Sequence, residues 1–248
     1  MTKTTAIYRA SDDAKVRQFK GHLNSTGHTA GAGCPEATEG KGGCHVPDDP
    51  DCYVYDVLRY PAVGPKLDAN HEALKECKSP EDYADLINPI VESSLQQYHR
   101  RLKKAEGKER RRLLQRGHIF RHHWSGDVLS IEHAKGLLLV AVENPETSFW
   151  IYTRTWWAAG HMRGAVNLSV FLSTDAVNIE QMRATQLAMP ELKLAHMTTK
   201  EMPASDTAID CPVTVKKLAS NGGCNICGIC FNTDVDVNFH VNYKKEAV

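Results

Sequence analysis

His118-Ile-Phe-Arg-His-His-Trp124 reads as a β-strand, and the same kind of run recurs as Ser148-Phe-Trp-Ile-Tyr-Thr153, as Val166 to Leu172 and as Leu192 to Met197. Ser130 to Glu143 and Asn178 to Met189 lie between these runs and carry helical periodicity. Strands spaced by helical crossovers imply parallel βαβ units and an α/β fold. Ligands of such sheets bind at the carboxyl ends of the strands. The residues there are Ser125-Gly126-Asp127, Thr153-Arg154-Thr155, Ser173-Thr174-Asp175 and Thr198-Thr199-Lys200. Ser130 and Asp175 also suit helix N-caps. Arg154 precedes two tryptophans, so it either binds an anion or packs on an aromatic face.

Upstream of this core the chain reads as helical. Asp68 is placed to cap a helix over Ala69 to Lys78, and Ser79-Pro80-Glu81-Asp82 supplies a cap, a first-position proline and first-turn acids. A long helix through Tyr83, Leu86, Ile87, Ile90 and Leu95 leads into Arg100 to Arg116, where nine Lys/Arg meet two Glu. Such a run is either a solvated helix face or a phosphate-facing surface. Gly21 to Pro65 is rich in Gly, Pro, Asp, Thr and His and reads as an irregular loop region that a bound metal would order. The expected division is an N-terminal Cys loop region over 1–65, a barrel-like core over 66–200 and a Cys-rich extension over 201–248, integrated into one domain.

The 248 residues hold 30 Lys+Arg against 30 Asp+Glu and are 42% hydrophobic, which argues against a disordered chain or a supercharged nucleic-acid coat. The first ten residues lack the apolar core of a signal peptide, and the longest apolar run, Leu137 to Val142, is too short to cross a bilayer. A cytoplasmic protein with no membrane partner is expected. Eight cysteines in a reducing compartment point to metal binding, catalysis or inert burial. They fall into Cys34, Cys44 and Cys52; Cys211, Cys224, Cys227 and Cys230; and Cys77 alone, most simply a small buried apolar group.

Cys224-Asn-Ile-Cys227-Gly-Ile-Cys230, with Cys211-Pro212 as the fourth ligand, has ferredoxin-like [4Fe-4S] spacing, and zinc is the alternative metal. Three thiolates at Cys34, Cys44 and Cys52 would leave one position open for substrate unless His45 fills it. His118, His122 and His123 have strand alternation, which would set His122 and His123 on opposite faces.

Taken in order, Gly33-Cys34-Pro35-Glu-Ala-Thr38, Cys44, Cys52-Tyr53, Arg121-His-His-Trp-Ser-Gly-Asp127, Phe149-Trp-Ile-Tyr-Thr-Arg154, Asn167, Ser173-Thr-Asp175, Cys211-Pro212 and the CxxCxxC run resemble the phage-encoded gene product 88 family. The likeness covers most of residues 30 to 240. More distantly, the cysteine loop ending in Cys-Tyr and the Ser-x-Asp and Thr-Arg strand ends are similar to phage-type radical S-adenosylmethionine proteins.

That second resemblance implies an open or partial (β/α) barrel and two [4Fe-4S] clusters, the first on Cys34, Cys44 and Cys52 with an iron open to S-adenosylmethionine, whose reductive cleavage yields a 5′-deoxyadenosyl radical. Cys211, Cys224, Cys227 and Cys230 would hold an auxiliary cluster. Ser125, Asp127, Tyr152, Arg154 and Ser173 would line the cofactor cavity, with Asp127, Arg154 and Asp175 as the catalytic set. An electron-donor protein is implied, and the substrate could be a nucleotide or nucleic acid. The competing expectation is a metal-stapled nucleic-acid-binding protein without catalysis, contacting phosphate through Arg100 to Arg116.

Overall fold

Parallel pairing runs through every strand of the sheet. The computed structural model describes residues 8–11, 13–36, 52–199, 202–219, 221–232 and 234–240. Its strands are β1 (His118–Arg121), β2 (Thr147–Thr153), β3 (Leu168–Thr174), β4 (Lys193–Thr198), β5 (Ile209–Asp210) and β6 (Val237–His240), ordered β1-β2-β3-β4-β6-β5. The sheet forms a half-barrel, so the expected α/β class with a partial barrel describes the core. β5 and β6 fall within the 201–248 extension, yet β6 pairs directly with β4. Both are too short to carry a period of their own.

The helices are α1 (Tyr53–Leu58), α2 (Val63–Glu76), α3 (Pro80–Lys104), α4 (Gly107–Arg116), α5 (Ile131–Glu143), α6 (Trp156–Ala159), α7 (Ile179–Ala188), α8 (Gly223–Cys227) and α9 (Ile229–Asn232). α3 begins with the expected cap, proline and first-turn acids, and the structure joins them into a reciprocal capping box: Ser79 Oγ accepts from the Asp82 N–H, and Asp82 accepts from the Ser79 N–H. Its buried Tyr83, Ala84, Ile87, Val91, Ser94 and Tyr98 follow helical spacing and face α5. Gly136 of α5 lets the two helices approach, because a β-carbon there would stand 2.5 Å from Tyr83 Cβ.

Two expectations change here. Asp68 lies inside α2, which starts at Val63, and instead of capping it accepts a hydrogen bond from Thr29 Oγ1 at 2.8 Å. The stretch 21–65 is less irregular than its composition implies, since it contains α1, the start of α2 and an extended segment over residues 24–28.

Strand alternation sorts the sheet's two faces. Phe120, Phe149, Ile151, Val170, Leu172 and Leu194 join the helices in the main core. Ile119, Trp150, Tyr152, Phe171, Ala195 and Val237 face the other way, where Val16, Cys211, Cys224, Cys230 and Phe231 cover them. Trp150, Phe120, Phe149 and Phe171 are all essentially fully buried. At about 1.5–3 kcal/mol for each buried large apolar side chain, both faces contribute to holding the sheet. Among the described residues, no helix is long and apolar enough to cross a membrane.

Candidate functional site

The extended segment 24–28 lies against the free edge of β1. The Arg121 N–H donates to the Asn24 carbonyl (3.0 Å), Thr26 N–H to the Arg121 carbonyl (3.1 Å), Trp124 N–H to the Thr26 carbonyl (2.9 Å) and His28 N–H to the Ser125 carbonyl (2.9 Å). The bridge at Ser25 and Arg121 is parallel. This segment therefore acts as one more parallel strand, and its carboxyl end runs directly into Gly33-Cys34. The Asp127 N–H donates to the Gly33 carbonyl at 2.7 Å, which fixes the Cys34 turn beside Ser125-Gly126-Asp127 at the carboxyl rim. Cys52 joins Val54 and Leu67 in a small apolar cluster against which Ala30 and Trp124 pack. Cys34 and Cys52 are both buried. Cys44, Thr38, His45 and Lys200 lie outside the described residues.

The His28 ring is the post around which this rim is built. Gly126 at φ +77° and Gly33 both press their backbones on it, and a β-carbon at either position would meet the ring at about 2.5 Å. His28 Nε2 donates to the Asp127 carbonyl at 2.8 Å, so its Nδ1 is left to accept from His71 Nδ1–H at 3.3 Å. On the far side, His133 Nδ1 accepts from the Leu129 N–H, and His133 Nε2–H therefore donates to His123 Nε2 at 3.1 Å. His123 sits in the left-handed region, at φ 50°. That turn defeats the expected strand alternation and brings the His123 ring to 6.2 Å from His122. Burial pushes His28 and His122 down to about 3 and lowers His123 and His133 well below the ordinary histidine value. The histidines are thus neutral. Strand alternation marks His122 and His123, whereas His28, His71 and His133 come from three other elements and carry no local sequence signal.

Asp127, Arg154 and Asp175 form one buried network behind the rim. Asp127 accepts from Thr153 Oγ1 (2.5 Å), the Arg154 N–H (2.7 Å) and the Val128 N–H (2.7 Å). Burial nevertheless outweighs these bonds and raises its pKa. The Arg154 guanidinium pairs with the Asp175 carboxylate at 2.7 Å. Ser130 Oγ caps α5 through the His133 N–H, as expected, whereas Asp175 accepts from the Val177 and Asn178 N–H groups in the turn before α7 and is not its cap, the N-cap position being Asn178.

The five residues expected to share a cofactor cavity are divided between environments. Ser125 Oγ donates to the His28 carbonyl and Asp127 is enclosed with Thr153. Tyr152 faces the opposite side of the sheet, and Ser173 shares that side with Phe171 by alternation. Adjacent residues of one strand point to opposite faces, so Tyr152 and Thr153 cannot line one cavity.

Tyr152 points instead to the second cysteine group. Its hydroxyl donates to Cys230 Sγ at 2.8 Å, and its ring lies 5.3 Å from the Arg121 guanidinium, itself paired with Asp13 at 3.1 Å. α8 and α9 are separated by Gly228 at φ 73°, a left-handed turn that folds Cys230 back toward Cys224. The Cys224 N–H donates to the Lys15 carbonyl, and Arg116 donates to the Ile226 and Cys227 carbonyls. Cys211, Cys224, Cys227 and Cys230 stand near enough for their charges to interact. Burial pushes the Cys224 and Cys230 thiols up to about 12, so without a metal they are protonated. Among the described residues, no three His, Cys, Asp or Glu side chains converge on a single metal-ion position.

The profile of the family described as "Gene product 88" matches residues 3–233. The chain belongs to the gene product 88 family. The "Gene 88 protein" of Mycobacterium phage L5 is 31% identical over 135 residues, which cover 51% of this chain and 56% of the phage protein. This chain thus spans about half the length of that relative. No solved structure matches the chain. The family match takes in the carboxyl rim, β1 to β5 and all four C-terminal cysteines, and ends before β6.

Cys77 behaves as expected of a small apolar group, packing on the main core with its thiol toward the Ala73 carbonyl.

Proposed function

We propose that this chain is an iron-sulfur enzyme of the radical S-adenosylmethionine type. The observation that carries the reading is the parallel pairing of residues 24–28 on β1, since it sets Cys34 just beyond a strand's carboxyl end, where half-barrels bind ligands, with Cys52 in the small apolar cluster that Trp124 packs against. Cys34, Cys44 and Cys52 would hold the substrate-facing cluster. Cys211, Cys224, Cys227 and Cys230 would hold the second, enclosed by Tyr152, Phe231 and the sheet. Bound S-adenosylmethionine would supply, on one-electron reduction, the chemistry of hydrogen-atom abstraction.

The donor set fits a cluster on chemical grounds. Burial raises the pKa values of the Cys224, Cys227 and Cys230 thiols, and a polycationic centre would reverse that by deprotonating them. A zinc ion would draw four sulfurs to about 2.3 Å of one point. The spacing of Cys224, Cys227 and Cys230, three thiols two residues apart with Cys211 at a distance, is what favours the larger cluster over zinc. In this reading, Asp127, Arg154 and Asp175 are positioning residues. Their charges are spent on one another and on backbone N–H groups, and they hold the Cys34 turn and the β2 and β3 ends in register.

The test is an anaerobic preparation analysed for iron and sulfide and by electron paramagnetic resonance, then reduced with dithionite in the presence of S-adenosylmethionine. About eight irons per chain and release of 5′-deoxyadenosine are expected. Cys34→Ala should lose cleavage of S-adenosylmethionine and keep the second cluster. Zinc without iron, or no cleavage by a fully iron-loaded protein, overturns the proposal.

A further inference from the structure

At the amino end of β1, opposite the Cys34 rim, a cavity of about 400 Å³ is lined by Arg17, Phe19, Lys20, Arg112, Asn221 and Asn225, among others. Gln18 ties it to the strand, its amide donating to the Gly117 carbonyl and accepting from the Ile119 N–H. Three of its side chains are cationic, and among the described residues no carboxylate lines it. Two of its polar atoms are buried without a hydrogen-bond partner among the described residues, Arg112 Nε and Asn225 Oδ1. Asn225 is only 1% exposed. A buried guanidinium N–H without an acceptor is costly, and an amide that can be turned offers either its oxygen or its NH₂ to an incoming group.

We propose that this cavity binds a phosphate group, carried by a nucleotide or by a nucleic-acid chain. Arg112 would give its Nε–H to a phosphate oxygen, Lys20 a mobile positive charge at the mouth, and Asn225 a hydrogen bond from the floor. Arg17 stays anchored by Nε–H to Asn221 Oδ1 at 2.9 Å and contributes its field. Phe19, stacked on His22 at 4.3 Å, is the apolar wall. The volume suits a nucleotide-sized group. Arg112 lies on α4, whose sequence GKERRRLLQR carries further cations for a longer chain to meet. Asn221 to Ile226 belong to the Cys224 loop, which places an occupant next to the second cysteine group without making the site depend on a metal there.

The experiment measures binding of inorganic phosphate, adenosine monophosphate and a labelled single-stranded oligodeoxynucleotide to the full chain at low and moderate salt. The variants are Lys20→Gln, Lys20→Gln with Arg112→Gln, and, as a control on the outer face of α4, Lys108→Gln with Arg111→Gln. The monophosphate or the oligonucleotide is expected to saturate the wild type and to weaken about tenfold or more in the Lys20/Arg112 pair, with a salt slope smaller by about 0.7 for each lost single-strand contact. Saturation by the monophosphate assigns a free nucleotide; saturation by the oligonucleotide alone assigns a chain. Lys20→Gln, an exposed change that leaves the fold intact, should weaken the same probe. No saturable binding, unchanged affinity in Lys20→Gln, or equal loss in the control pair overturns the proposal.

Discussion

Acidification should unfold this protein well above the range where carboxylates titrate, because its interior holds neutral histidines. His28 and His122 are held at about 3 and His22 at about 4, against 6.5 when exposed, all by burial. His118, His123 and His133 are lowered well below 6.5 for the same reason. A base whose folded pKa is depressed binds fewer protons folded than unfolded, so its contribution is complete above 6.5 and is lost as pH falls from there toward the folded value. Between about pH 7.5 and about pH 5.0 each such group removes about 2 kcal/mol, hence about 6 kcal/mol for His22, His28 and His122 together, and the other three act in the same direction. Asp127, with its raised pKa, opposes this as a single group. A domain's whole stability is about 5–15 kcal/mol, so the loss is decisive. Urea unfolding followed by tryptophan fluorescence at several pH values should show a midpoint that falls with steepening slope below about pH 6.5 at constant m. The companion variant is His122→Phe. Neither ring nitrogen of His122 has a hydrogen-bond partner among the described residues, and the ring stacks on Phe149 at 5.0 Å. His122→Phe should flatten the slope by about one proton without lowering stability at neutral pH. A midpoint at about pH 5 equal to that at about pH 7.5 would refute the reasoning.

The remaining predictions concern packing, pairing and the second cysteine group. Gly136→Ala should lose about 1 kcal/mol or more despite alanine's better helix propensity, because its methyl group meets Tyr83 Cβ at 2.5 Å and the Pro80 carbonyl at 2.9 Å; a rise in melting temperature would contradict this. Ser79→Ala should cost about 1 kcal/mol in urea titration through loss of the α3 cap. Arg154→Met leaves the Asp175 carboxylate buried without its guanidinium and should cost about 3–5 kcal/mol, with an unchanged urea midpoint as the contrary result. Tyr152→Phe removes the hydroxyl donor to Cys230 Sγ; in iron-loaded protein the reduction potential of the second cluster should move negative, since that bond favours the more anionic state.

Periodicity and capping carried the sequence reading a long way. β1 to β4, α5 and α7 stand within a few residues of their expected places, because each buries one face against a partner and so repeats every two or 3.6 residues, and the Ser79 cap of α3 is legible because it is local. The CxxCxxC run likewise announced itself through local spacing. What periodicity missed was the extended segment 24–28. It lies amid Gly, Asn, Thr and His, and its pairing is satisfied by backbone and by Asn24 rather than by an alternating apolar face. β5 and β6 escaped for want of length.

The sequence by itself determined a parallel α/β core, two cysteine groups at its ends and a basic stretch between helix and sheet, since these follow from residue types at fixed short spacings. Tertiary structure decided which of those residues meet. It put Tyr152 with Cys230 and Thr153 with Asp127 on opposite faces, drew histidines from separate elements into one buried cluster, and joined Lys20, Arg112 and Asn225 around a cavity. These contacts join residues distant along the chain, and their geometry depends on strand register, a left-handed turn at His123 and the packing of segments over the sheet, none of which leaves a periodic trace.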